Sequence, residues 1–168
     1  NVMLVGAAID DARLLDFGVA KGSDRDLTHT GQVIGTPGFM APEQALGRRA
    51  LDGRADLFGL GCTLYAAVTG QRPFPGDEVV EVLAHVLLHD PASVDQLAPE
   101  VPPRLANLIA ALMAKEPEAR LADAATVVAE ADAMMRAKAA GDHAALALRP
   151  HRLAPAAPAA PSVTVAAR

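Results

Sequence analysis

The strongest constraint on this chain is a series of apolar stripes at helical spacing, kept apart by prolines. Leu105, Leu108, Ile109, Leu112 and Met113 recur at i, i+3, i+4, i+7 and i+8, which places them on one face of a helix. Leu57, Leu60, Gly61, Leu64 and Val68 form an earlier stripe. Val79, Val82, Leu83 and Val86 form another, and Val127, Val128, Ala131, Met134 and Met135 the last. Pro73, Pro75, Pro91, Pro99, Pro102, Pro103 and Pro117 fall between the stripes, where a residue without a backbone N–H belongs. Residues 55–138 therefore read as a helical assembly. Gly59 and Gly61 interrupt the first helix, and each costs about 1 kcal/mol relative to Ala. Such a pair predicts that a neighbour packs very close to that helix.

The first 54 residues have a different texture. Val2-Met3-Leu4-Val5 and Ala12-Arg13-Leu14-Leu15 read as two short strands, residues 2–5 and 12–15, joined through a turn at Asp10-Asp11. A long polar segment follows, and its stretch from Lys21 to Met40 is expected to be the least ordered internal part, since long structureless loops are usually functional or disordered. From about Ala139 the apolar period fades. The Ala-Pro repeats between Leu153 and Pro161 suit a semi-extended linker. The expected fold class is α+β, mainly α, with a domain over residues 1–138 and an Ala/Pro-rich tail over 139–168.

Composition excludes several functions. A net charge of −5, with no cluster of Lys or Arg, argues against a nucleic-acid surface. The apolar run from Leu57 to Val68 is too short to span a bilayer, which takes about 20 residues. Cys62 is the one cysteine, so no internal disulfide forms, and its apolar neighbours suit a small core residue. Aromatic residues make up 3% of the chain and Trp is absent. Ala, Leu and Val must supply most of the core. His85 and His89 lie one helical turn apart, a spacing that can bind zinc, but no third ligand is near in sequence and a solvated helix face is the simpler reading.

The chemistry-bearing signals come in order. Leu14-Leu15 leads into Asp16-Phe17-Gly18. A carboxylate at a strand end is rigidly aimed, and it is a hard oxygen donor suited to Mg²⁺. Alone this tripeptide says little, because Asp-x-Gly also makes ordinary turns. Gly35-Thr36-Pro37-Gly38-Phe39-Met40-Ala41-Pro42-Glu43 follows. Then come Asp52-Gly53-Arg54-Ala55-Asp56, at the head of the glycine-bearing helix, and Lys115-Glu116-Pro117-Glu118-Ala119-Arg120. With these four motifs in this order, the chain resembles the bacterial eukaryotic-like (Hanks-type) serine/threonine protein kinases over about residues 1–138. Asp16-Phe17-Gly18 is similar to their metal-binding motif, Ala41-Pro42-Glu43 to the end of their activation segment, and Asn1 to the Asn that closes their catalytic loop.

The resemblance implies a kinase C-terminal lobe, with helices F to I and a small β-hairpin, and no N-terminal lobe. It implies ATP as cofactor, cradled at Asn1, Asp16, Phe17 and Gly18, with Asn1 and Asp16 holding Mg²⁺ or, as a substitute, Mn²⁺. Thr36 resembles the hydroxyl that supports the catalytic loop and favours Ser/Thr acceptors. Thr28 and Thr30 stand where related kinases autophosphorylate, and Asp56 resembles the helix-F carboxylate that anchors the catalytic-loop backbone. Glu43 and Arg120 resemble the ion pair that ties the activation segment to the helices. The implied partners are protein substrates with Ser or Thr acceptors, and a kinase-domain dimer in the intact protein. The kinase domain would be cytoplasmic, with a membrane anchor of the intact protein beyond Arg168.

The Gly-rich lid, the strand Lys, its Glu partner and the catalytic base of such enzymes would all precede Asn1. General acid–base catalysis is worth about 10²–10⁴-fold, so the chain alone is expected to be inactive, a kinase fragment. The alternative is a non-catalytic kinase-like binding module. Retention of both Asn1 and Asp16 favours the kinase fragment, since a binding module has no need of two metal ligands.

Overall fold

In a computed structural model of the chain, the described residues are 2–4, 12–14 and 36–147. They fall into two units, Asn1–Thr36 and Pro37–Arg168. In the first, β1 (Val2–Leu4) and β2 (Ala12–Leu14) pair antiparallel, with Val2 opposite Leu14, Met3 opposite Arg13 and Leu4 opposite Ala12. The predicted hairpin is present within its expected spans. Asn1, Asp16, Phe17, Gly18, Thr28 and Thr30 lie outside the described residues, as do the connecting turn at Asp10-Asp11, most of the loop from Lys21 and the tail from 148.

The second unit is helical. A 3-10 turn, Pro37–Phe39, and a short helix α1 (Pro42–Ala45) lead to α2 (Arg54–Thr69). Next come α3 (Val79–Leu88), the short α4 (Val94–Leu97) and α5 (Pro103–Leu112). A 3-10 turn at Pro117–Ala119 precedes α6 (Ala124–Ala139) and α7 (His143–Ala147). The described residues are mainly α with a small antiparallel hairpin, the α+β, mainly α class expected from the sequence.

The ends of these helices follow from local chemistry. Pro103 opens α5 at its first turn, where its missing N–H costs nothing. The Asp123 carboxylate accepts from the Thr126 backbone N–H and hydroxyl at the head of α6, both at 2.8 Å. Gly70 ends α2 at φ 70°, the left-handed conformation that glycine adopts without a Cβ penalty. Helix α7 starts beyond the apolar period because Asp142 caps it, accepting from the Ala145 N–H at 2.9 Å.

Helix α2 is the centre of the unit. Its Ala55, Phe58, Cys62 and Tyr65 join Phe74, Val86, Val94 and Ile109 in one buried cluster. Its Leu57 joins Leu108, Leu112 and Val127 in a second. Gly61 explains the cost of an interior glycine. A Cβ there would sit 2.7 Å from Met113 Cγ and 2.8 Å from Leu112 Cβ, so α5 lies against the bare backbone.

Three stripes are narrower than their spacing suggested, and on α3 Val79 is 43% exposed. Leu60 is 38% exposed on α2, and on α6 Val128 and Met135 are 59% and 70% exposed. Helix α6 packs on one side only, with Val127 in the second cluster and Met134 against it. A residue one position on is rotated about 100° around the helix, which carries Val128 and Met135 into solvent.

Candidate functional site

Two of the residues that the sequence motifs single out, Glu43 and Arg120, meet where α1, the head of α2 and the loop after α5 come together. Pro42 opens α1 with a pre-set φ, and the Gln44 side chain accepts from the Ala41 N–H at 2.9 Å. This local brace turns Glu43 inward. Arg120 arrives from 77 positions away and forms a two-pronged pair, Nη1 to Oε1 at 2.6 Å and Nη2 to Oε2 at 2.7 Å. The guanidinium is also saturated by backbone. Its Nε donates to the Ala114 carbonyl (2.8 Å), Nη1 to that of Arg54 (2.9 Å) and Nη2 to that of Lys115 (3.0 Å). All five N–H donors of the arginine are thus used, and the two residues are 4% and 5% exposed. Burial alone would raise the Glu43 pKa, but hydrogen bonds from Arg120 and the backbone outweigh it and hold the carboxyl below its ordinary value.

A stack of rings and cations extends from this pair. Arg120 lies over the Phe58 ring, 5.0 Å from its centroid. Phe58 stacks on Phe74 with centroids 6.0 Å apart. Lys115 sits over the Phe74 ring, its Nζ 4.2 Å from the centroid, and donates to the Val86 carbonyl of α3 at 2.8 Å. Burial lowers the Lys115 pKa. Cations over ring faces gain from the ring quadrupole, so the stack ties α3 and the loop after α5 to the Glu43–Arg120 pair. The 3-10 turn is bound to the same frame: an added Cβ on Gly59 of α2 would lie 3.3 Å from the Phe39 carbonyl, and one on Gly38 would lie 3.6 Å from the Phe74 carbonyl.

Other predicted residues are placed differently. Thr36 and Asp56 are exposed. Asp56 borders a shallow cavity of about 380 Å³ with Asp52, Leu57 and Asp123. Among the described residues no group of three His, Cys, Asp or Glu could hold a metal ion, and His85 and His89 have no third ligand there. His85 Nδ1 instead lies 2.6 Å from the Pro75 carbonyl. Cys62 is fully buried and desolvation pushes its thiol up to about 12, which leaves it protonated and inert.

Sequence reasoning paired Glu43 with Arg120 and missed Phe58, Phe74 and Lys115. A signal existed for the rings: the chain has only four Phe and no Trp, so each buried Phe carries an unusual share of the core.

The family model for the protein kinase domain matches residues 1–133. Serine/threonine-protein kinase Pkn1 of Myxococcus xanthus is 42% identical over 115 residues, covering 67% of this chain and 16% of that protein. Serine/threonine-protein kinase PknB of Mycolicibacterium smegmatis is 36% identical over 121 residues, 70% of this chain and 19% of that protein. Serine/threonine-protein kinase PknJ of Mycobacterium tuberculosis is 40% identical over 129 residues, 74% and 22%. The chain therefore spans about a fifth of the length of these curated relatives.

Proposed function

The chain belongs to the protein kinase domain family, and from that membership we propose that it is the C-terminal lobe of a serine/threonine protein kinase. The intact enzyme transfers the γ-phosphoryl group of ATP to Ser or Thr hydroxyls of proteins, and the chain alone is inactive. The observation that carries this reading is the saturated Glu43–Arg120 pair. It fixes the end of the Gly35–Glu43 segment to α2 and to the loop after α5, as a substrate-presenting segment requires.

The donor set supports the cofactors. Asp16 offers a carboxylate and Asn1 an amide carbonyl, both hard oxygen donors that suit Mg²⁺, with Mn²⁺ as the substitute. Bound Mg²⁺ with ATP supplies charge neutralisation at the transferred phosphate. The chain's own residues position. Asp56, held at the first turn of α2 and exposed, is free to accept backbone N–H groups of the catalytic loop. Thr36 offers its hydroxyl beside the acceptor. Thr28 and Thr30 are the phosphorylation sites of the activation segment, where added phosphate orders a loop through arginine partners. Residues 1–138 make up the kinase portion and 139–168 a linker. The domain works in the cytoplasm and pairs as a dimer in the intact protein, which a segment beyond the linker anchors to a membrane. Among the described residues no helix is long and apolar enough to cross a membrane.

The experiment is a phosphotransfer assay on the intact protein with ATP, Mg²⁺ and a Ser/Thr protein substrate. Wild type should transfer phosphate, and Asp16→Asn should abolish transfer. Absence of transfer by the intact wild type, with partner binding retained, would establish the non-catalytic module instead.

A further inference from the structure

A second cavity, of about 290 Å³, lies away from the Glu43–Arg120 pair, between α2, the Asp90–Asp95 turn and α5. Its floor is apolar: Ile109 and Met113 are buried, as is Tyr65 on the wall. The space exists because α5 presents small residues there, Ala110 standing at the mouth and exposed. The wall is held in place, since the Tyr65 hydroxyl of α2 donates to the Ala92 carbonyl at 3.0 Å. The rim is acidic. Asp90 and Asp95 are exposed, and among the described residues neither forms an ion pair. Lys115 is within electrostatic reach of Asp90, but its ammonium is already committed to the Val86 carbonyl.

We propose that this cavity docks a polypeptide partner by taking up one Arg or Lys side chain. At about 290 Å³ the cavity stands at the lower edge of the about 300–1,000 Å³ that drug-sized ligands occupy, with room for one long side chain. An apolar floor under two carboxylates matches a side chain with a methylene stem and a cationic head. The same carboxylates, on a chain of net charge −5, repel anionic partners such as acidic lipid surfaces or nucleic acid. A polypeptide can add backbone and neighbouring side-chain contacts along the exposed turn, which a free amine cannot. The site goes beyond the kinase reading, because docking is read without ATP and its failure would leave that reading intact.

The test is a chemical-shift titration of the full chain with the capped peptide Gly-Leu-Arg-Leu-Gly. Saturable shifts are expected at Tyr65 and along Ala106–Ala114. Replacing the peptide's Arg by citrulline, a neutral isostere, should weaken binding about tenfold or more, the scale of a lost charged hydrogen bond. Ala110→Leu should block the mouth, and the surface double variant Asp90→Asn with Asp95→Asn, which removes no core atom, should reproduce the citrulline effect. Absence of saturable shifts would overturn the proposal, as would equal binding of the citrulline peptide or indifference to the double variant. Agmatine alone binding as tightly as the peptide would refute a polypeptide partner in favour of a small cation.

Discussion

Two arginine–glutamate pairs in this molecule share their chemistry and differ in their surroundings. Arg120 and Glu43 have side-chain exposures of 0% and 5%, and every donor of the arginine is used. Arg104 of α5 and Glu130 of α6 are 17% and 36% exposed, and Arg104 reaches a single oxygen of Glu130 through Nε at 3.1 Å and Nη2 at 2.9 Å. The first pair joins segments that the chain separates widely, and it replaces water with protein on all sides. The second staples neighbouring helices at the surface, where water competes. Desolvation makes the buried pair worth little relative to an apolar substitute, yet makes breaking it expensive. The contrast teaches that such a pair specifies an arrangement rather than adding stability.

The largest effect expected is from Arg120→Ala, which strands a buried carboxylate and should destabilise by about 3–5 kcal/mol in urea unfolding. Combining it with Glu43→Gln should cost less than the sum of the single changes, because the double variant no longer buries an unpaired charge. Strict additivity would break the comparison at its root. Gly61→Val comes next. The added atoms collide with Leu112 and Met113, and overpacking of this kind costs about 1–3 kcal/mol. If the buried pair depends on the close approach of α2 and α5, this variant should also weaken the Glu43–Arg120 coupling in a double-mutant cycle.

Acid should weaken the buried pair by its own route. Glu43 has its pKa lowered from 4.5 in the folded state. The unfolded chain therefore takes up that proton first as pH falls. The stability Glu43 contributes is complete above about 4.5 and is lost as pH drops through the lower folded value. Unfolding titrations should show wild type converging on Glu43→Gln as pH falls through this window. The smallest effect expected is at the surface pair: Arg104→Ala should cost about 0.2–1 kcal/mol, and added salt should shrink that difference while leaving the Arg120 effect nearly unchanged. Cys62 provides an independent reporter of the core behind the buried pair. With its thiol pushed up to about 12, it should react with a thiol reagent only on unfolding, and fast labelling of the native chain would contradict the packing described.

Much of the fold was legible because helical period and proline position are local properties. The stripes at 57–68, 79–86 and 105–113 became α2, α3 and α5, and the Gly59/Gly61 pair announced close neighbours, the Phe39 carbonyl at Gly59 and α5 at Gly61. Helix α4 was not legible, since four residues are too few to show a period, and α7 was hidden because a capping Asp142 rather than an apolar face starts it. The stripe on α6 was read too broadly. Periodicity says which residues share a face, but not how much of that face a neighbour covers.

The site divides in the same way. Glu43 with Arg120 was legible only through the resemblance of their motifs, because nothing over a sequence separation of 77 marks them as partners. What the sequence determined by itself is which segments are helical, where they break and which family's motifs stand in order, all encoded over a few residues at a time. Only the tertiary structure decided that Arg120 would find three backbone carbonyls beside Glu43, and that Phe58, Phe74 and Lys115 would stack beside it. Those contacts join α1, α2, α3 and the loop after α5. They depend on distances that exist only once the helices have packed around α2.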